Sequence, residues 1–170
     1  MTIANLSDVL QKAKNENYAV AGLVVLGWED ARCYAEAAEE LNLPIILQAG
    51  PGCRANTPVP ILGKMFRYLA DQSNSPVVCH LDHGYSKEEC VEGIDSGFTS
   101  VMFDGSKLSF NENIEKTHEI AELAHSYKVS VEGEIGFVGY NEGADSLSTN
   151  PQEANKFAEL SGCDLSLIHI

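Results

Sequence analysis

Short apolar runs alternate with amphipathic stretches along the chain. Residues 18–26 (YAVAGLVVL), 44–47 (PIIL), 76–82 (PVVCHLD), 99–103 (TSVMF) and 129–135 (VSVEGEI) read as strands, and a sixth apolar run begins after Gly162. The runs are short and apolar, as strands covered on both faces are. Between them, residues 28–41, 58–71, 86–96 and 111–125 carry apolar positions at helical spacing, and residues 7–16 predict a helix before the first strand. Ser86 with Glu89 forms a capping box on paper, and Ser109 with Glu112 is a second start signal. Asn150, Pro151 and Glu153 supply an N-cap, a proline at N1 and an acid at N3 for a further helix.

Strands separated by helices and recurring at roughly 25–35 residues predict βα units and a parallel sheet. Two α/β architectures fit, a doubly wound sheet and a (β/α)8 barrel. No G-x-G-x-x-G follows the first strand, which weakens the dinucleotide-binding version of the former. A full barrel typically takes about 250 residues. With 170 residues and six units at most, the expectation is an open sheet or an incomplete barrel in a single domain.

Composition narrows the partners. Lys plus Arg is 11 against 25 Asp plus Glu, a formal net charge of −14. So acidic a chain is a poor binder of phosphate backbones, which argues against nucleic acid and anionic membrane. An anionic small substrate would have to be received by a metal or a local basic group. The five cysteines include no C-x-x-C pair, and Asp8, Lys12, Lys14 and Glu16 interrupt the start of the chain. Reduced thiols in a cytoplasmic protein are expected, each cysteine a small buried hydrophobe. No apolar run approaches the roughly 20 residues that span a bilayer.

The uncommon polar residues collect at strand ends. The third strand closes with His80, Leu81, Asp82, His83 and Gly84, the fourth with Phe103, Asp104 and Gly105, and the fifth carries Glu132 and Glu134. Alternation puts Glu132 and Glu134 on one face. Buried under helices, two carboxylates without partners would cost several kcal/mol each, so the inward side at the C-terminal mouth is the cheaper place. That mouth is where α/β folds build active sites, and Asp, His and Glu converging there suit a metal with a nearby acid or base. The plainer alternatives are a core His80 bonded to backbone, Asp82 and Asp104 as caps or turn formers, and His118 and His125 as solvated or packed helix residues.

Taken together and in order, HLDHG, GFTSVMFDGS, NIEKT, SVEGEIG and NPQEANKF resemble the class II, metal-dependent fructose-bisphosphate and tagatose-bisphosphate aldolases. The resemblance implies a zinc-dependent (β/α)8 barrel that reversibly cleaves a ketose bisphosphate to dihydroxyacetone phosphate and an aldehyde. It places His83 on the first zinc ligand, Asp82 on the catalytic acid, and Asp104 and Glu134 on a second divalent-metal position. Glu142 falls in the loop after the fifth strand, where the family moves the proton at the dihydroxyacetone phosphate carbon. Zn2+ would act as a Lewis acid on the carbanion formed next to the ketone. A phosphorylated sugar as substrate and a homo-oligomeric assembly are further implications.

Three departures stand out. The loop reads Gly139-Tyr140-Asn141-Glu142-Gly143 where the family has Gly-Gly-Glu/Gln-Glu-Asp. Leu23-Val24 replace Phe-Asn, and Gly50 stands where a Ser or Thr is common. These changes leave two alternatives: a metal-dependent barrel lyase or isomerase for another sugar phosphate, or a non-catalytic barrel used for binding or assembly. The family's two further zinc histidines and its Gly-rich phosphate segment are expected beyond Asp164. His169 comes too early to take that role. Residues 165–170 break from the pattern and match the translation of CTG-TCT-CTT-ATA-CAC-ATC, a transposase-end adapter sequence. Residues 1–164 are therefore expected to be the N-terminal portion of the barrel, and 165–170 a non-native tail.

Overall fold

The computed structural model describes residues 2–136 and 148–169. The expected strands are present as β2 (Ala21–Val24), β3 (Ile45–Ala49), β4 (Val77–Gly84), β5 (Ser100–Phe103) and β6 (Ser130–Glu134). Two further strands are short: β1 (Ile3–Ala4) at the start of the chain and β7 (Leu165–Leu167) near its end. The helices are α1 (Leu6–Glu16), α2 (Trp28–Leu41), α3 (Pro51–Arg54), α4 (Val59–Gln72), α5 (Lys87–Asp95), α6 (Phe110–Ser126) and α7 (Pro151–Leu160). None of the described helices is long and apolar enough to cross a membrane.

The strands lie side by side in chain order, β2-β3-β4-β5-β6-β7, all parallel, with β1 paired to the first residues of β4. A doubly wound sheet reverses its strand order at a switch point. No reversal occurs here, so the sheet is an incomplete (β/α)8 barrel.

Its two faces are distinct. Leu47, Ala49, Val77, Cys79, Leu81, Val101, Phe103 and Val131 belong to the core that includes Leu62, Phe66, Ile120 and Ala124 of the helices. On the other face Ile46 and Val78 meet Leu6 and Val9, so α1 covers the N-terminal end of the inner surface. Above that apolar floor the inward positions turn polar, through Gln48, His80, Ser100 and Glu132. The apolar base closes one end and leaves chemistry at the other.

Local signals account for much of this. Ser109 and Glu112 form a complete capping box on α6, and the Asn150 side chain accepts from the amides of Gln152 and Glu153. The box expected at α5 forms by half: Ser86 accepts from the Glu89 amide, but the Glu89 carboxylate turns to Arg54 and to the Tyr85 amide. The helix expected over residues 7–16 begins one residue earlier, at Leu6, with the Asn5 side chain accepting from the Ser7 amide as its cap. Residues 18–26 do not form the buried strand expected. β2 has four residues, all exposed, with Val24 at 53%, because a strand lies on one side of it only among the described residues. Residues 165–167 pair with β6 in register, Glu132 with Leu165 and Glu134 with Leu167.

Helices α4 and α5 meet at Gly63, where an added Cβ would lie 2.1 Å from the Ser96 carbonyl oxygen. That contact is backbone and cannot swing away. Gly63→Ala is expected to destabilise the chain by about 2 kcal/mol or more, read from the shift of the urea unfolding midpoint.

Candidate metal centre

The centre begins with a break in β4. Strict alternation would put His80 and Asp82 inward and Leu81 and His83 under the helices. Instead the register with β5 shifts between Leu81 and Gly84, and His83 takes a left-handed backbone, φ 52°. For a non-glycine residue that conformation costs about 1–2 kcal/mol. The irregularity re-aims His83 to the mouth, as bulges beside active sites do. Its Nδ1 comes within 3.0 Å of Asp104 Oδ2 and 3.5 Å of Glu134 Oε2.

The Asp104 carboxylate and the Glu134 backbone are each held from behind. The Ser106 hydroxyl and amide donate to Asp104 Oδ1 at 2.6 and 3.1 Å. Asn113 on α6 donates to the Glu134 carbonyl at 2.7 Å and accepts from the Thr117 hydroxyl. One ligand atom from each of His83, Asp104 and Glu134 falls within 4.8 Å of the others. An imidazole nitrogen with two carboxylates is a donor set that zinc accepts. Glu134 Oε1 receives His169 Nε2 at 2.9 Å, but Oε2 is buried with no hydrogen-bond partner among the described residues. Buried polar atoms are rarely left so, and a cation between the three groups would satisfy it.

Burial and charge set the protonation here. The hydrogen bond to Asp104 raises the His83 pKa. Burial pushes Asp104 up, yet the bonds from His83 and Ser106 outweigh it and hold the group down at about 2. Burial raises Asp82. Beneath them His80 places Nδ1 2.9 Å from the Ser100 hydroxyl, the partner it has in place of the backbone expected. Its Nε2 lies 3.3 Å from Glu132 Oε2 and 3.9 Å from Asp82 Oδ1, and among the described residues it makes a hydrogen bond to neither, the second being too far. Burial lowers His80 to about 3 and, with the Asp82 charge, raises Glu132 to about 7.

Four of the five residues expected at the site thus gather at one rim: Asp82, His83, Asp104 and Glu134. Glu142 lies outside the described residues. His118 and His125 are exposed on α6, His125 paired with Asp164 at 2.9 Å. Gly50 has a reason to lack a side chain, since a Cβ there would press on Asp82 Oδ2 at 3.3 Å. Arg54 belongs to no motif of the sequence. It reaches the carbonyls of Ala49, Asp82 and His83, and its sequence signal is slight, a cation five residues past a strand end in a strongly acidic chain.

The two buried groups of the lower layer act on stability in opposite senses. Glu132, raised from 4.5 to about 7, keeps in the folded chain a proton that the unfolded chain has lost, so stability falls as pH rises between those values. His80, lowered from 6.5 to about 3, refuses a proton that the unfolded chain binds, so stability rises with pH over that span. Their effects oppose between pH 4.5 and 6.5. Glu132→Gln is expected to unmask a stability that climbs with pH there, and His80→Gln one that declines. Urea unfolding across this range checks both slopes, and an unchanged slope in either variant contradicts the assignment.

The fold and the site have counterparts. The family described as fructose-bisphosphate aldolase class-II matches residues 4–167. A fructose-bisphosphate aldolase of Staphylococcus epidermidis is 39% identical over 171 aligned residues, covering 96% of this chain and 60% of the relative. The crystal structure of the YdjI aldolase from Escherichia coli K12 superposes with a TM-score of 0.90 at 33% identity, over 99% of this chain and 62% of that one. Fructose-bisphosphate aldolase from Campylobacter jejuni gives a TM-score of 0.80 at 25% identity, over 94% and 54%. The chain therefore spans about 60% of the length of the relatives it matches. With the family match spanning residues 4–167 and a relative 39% identical over 96% of it, the chain belongs to the class II fructose-bisphosphate aldolase family.

Proposed function

We propose that a polypeptide of the relatives' length carrying this sequence is a zinc-dependent aldolase. It would reversibly cleave a ketose 1,6-bisphosphate, fructose or tagatose, to dihydroxyacetone phosphate and an aldehyde. The observation that carries the reading is the orphaned Glu134 Oε2, which faces His83 beside Asp104 with the raised carboxyl of Asp82 next in the chain. His83, Asp104 and Glu134 would hold divalent metal, and a second divalent ion belongs to the same proposal. When bound, the metal supplies Lewis-acid polarisation of the ketone.

The chain's own groups supply the rest. Asp82 is a carboxyl that burial tunes toward proton exchange. It takes the proton of the C4 hydroxyl as the carbon–carbon bond breaks and returns it in condensation. Glu142 moves the proton at the dihydroxyacetone phosphate carbon. The neutral His80 beneath Asp82 adds no positive charge to hold that carboxyl ionised. The reaction needs more zinc histidines than His83, so for the 170 residues by themselves we propose no turnover. A homo-oligomer is part of the same proposal.

A second reading, a lyase or isomerase for another sugar phosphate, draws on the β2–β3 side of the mouth. Val24, exposed, and Gly50 offer no polar side chain there.

Two variants of the longer polypeptide test the roles. Asp82→Ala is expected to lower cleavage of fructose 1,6-bisphosphate by about 10²–10⁴-fold with zinc retained. His83→Ala is expected to lose the zinc. Release of dihydroxyacetone phosphate and metal content are the readouts, with tagatose 1,6-bisphosphate alongside. Full activity in Asp82→Ala removes Asp82 from its role, and full activity after chelation removes the metal.

A further inference from the structure

The peptides around His83 raise a question of bonding. Where β4 slips against β5, between Leu81 and Gly84, the ladder resumes with Gly84 opposite Phe103. The carbonyls of Asp82 and His83 fall inside that slip. Backbone acceptors freed by a bulge need another donor, or they destabilise the conformation that freed them. The Arg54 guanidinium is that donor. Nη1 donates to the carbonyls of Ala49, at 2.7 Å, and Asp82, and Nη2 donates to the carbonyl of His83 at 2.8 Å. Its side chain is 10% exposed.

Two other elements orient it. Arg54 is the last residue of α3, which begins two residues after β3. The Glu89 carboxylate in the first turn of α5 meets Nη2 at 3.2 Å, drawn away from the cap it would otherwise complete. One planar fork thus ties the ends of β3 and β4 to the start of α5. It touches neither Asp104 nor Glu134. Lysine could carry the charge but not several directed donors in one plane.

We propose that Arg54 is a positioning residue of the metal centre: by binding the Asp82 and His83 carbonyls it holds the left-handed turn that aims His83 at Asp104 and Glu134. The proposal rests on those three residues binding a divalent cation. Partners behind a metal ligand typically change affinity by about 10–100-fold.

Co2+ serves as probe, titrated by calorimetry and visible absorption into the metal-free purified chain and its variants. Arg54→Met is expected to weaken Co2+ binding by about 10–100-fold and alter the absorption band. Arg54→Lys is expected to recover only part of the affinity. Glu89→Gln, which leaves the fork in place, is expected to weaken binding less than Arg54→Met and serves if that variant does not fold. Phe98→Leu, in the core under the helices, controls for general destabilisation and is expected to bind as the unaltered chain does. Equal affinity and equal spectra across the Arg54 and Glu89 variants overturn the proposal. So does a loss of affinity in Phe98→Leu that matches the Arg54→Met loss at comparable stability. If His83→Ala binds Co2+ as well as the unaltered chain, or neither binds it, His83, Asp104 and Glu134 do not by themselves hold a cation and the positioning role falls, whatever the longer polypeptide binds.

Discussion

A parallel strand sends neighbouring side chains to opposite faces, so two adjacent residues can serve one site only where the pleat is broken. Asp82 and His83 are such a pair. The break consists of one slipped register and one residue with φ 52°. Its cost is local and modest, about 1–2 kcal/mol. Without it His83 would point into the helical layer with Leu81, and Asp104 and Glu134 would face each other with no imidazole between them. The Asp82 carboxyl and the His83 imidazole reach the same rim from adjacent residues because the backbone bends there.

The inner surface around that break is organised by the cost of burying charge. Asp82, Asp104, Glu132 and Glu134 crowd one end of a low-dielectric sheet. Four ionised carboxylates at such distances would repel strongly. The chain resolves this unevenly. Asp104 is held ionised by donors, Glu132 is pushed toward the neutral form, and His80 is kept uncharged. Glu134 keeps one oxygen without a hydrogen-bond partner among the described residues. The rim is thus built to gain from a cation, and the layer below it is built to do without one. The apolar floor of Ile46 and Val78 under α1 closes the opposite end.

Some local signals proved sufficient and others were overridden. Ser109 with Glu112 and Asn150 with Pro151 start their helices as their residues predict, because the donors and acceptors lie within one turn. Ser86 with Glu89 has the same spacing, yet Glu89 also has Arg54, 35 residues away, within reach, and a charged partner is stronger than a backbone amide. Residues 18–26 are as apolar as a central strand, but apolarity does not say whether a neighbour is present on each side. That β2 stands exposed follows from its position at the end of the strand order.

By itself the sequence determined the βα repeat, the parallel sheet and the strand ends that carry Asp82, His83, Asp104 and Glu134. Those features follow from period, capping and the cost of placing acids under helices, all of which act over a few residues. Tertiary structure decided the rest. It chose the barrel's winding over the doubly wound sheet, aimed His83 inward against the alternation of its strand, gave His80 the Ser100 hydroxyl as partner, and brought Arg54 to the carbonyls behind the centre. Each of these depends on contacts between residues about 20 or more apart in the chain. Such contacts exist only once the sheet has assembled, and no spacing along the chain encodes them.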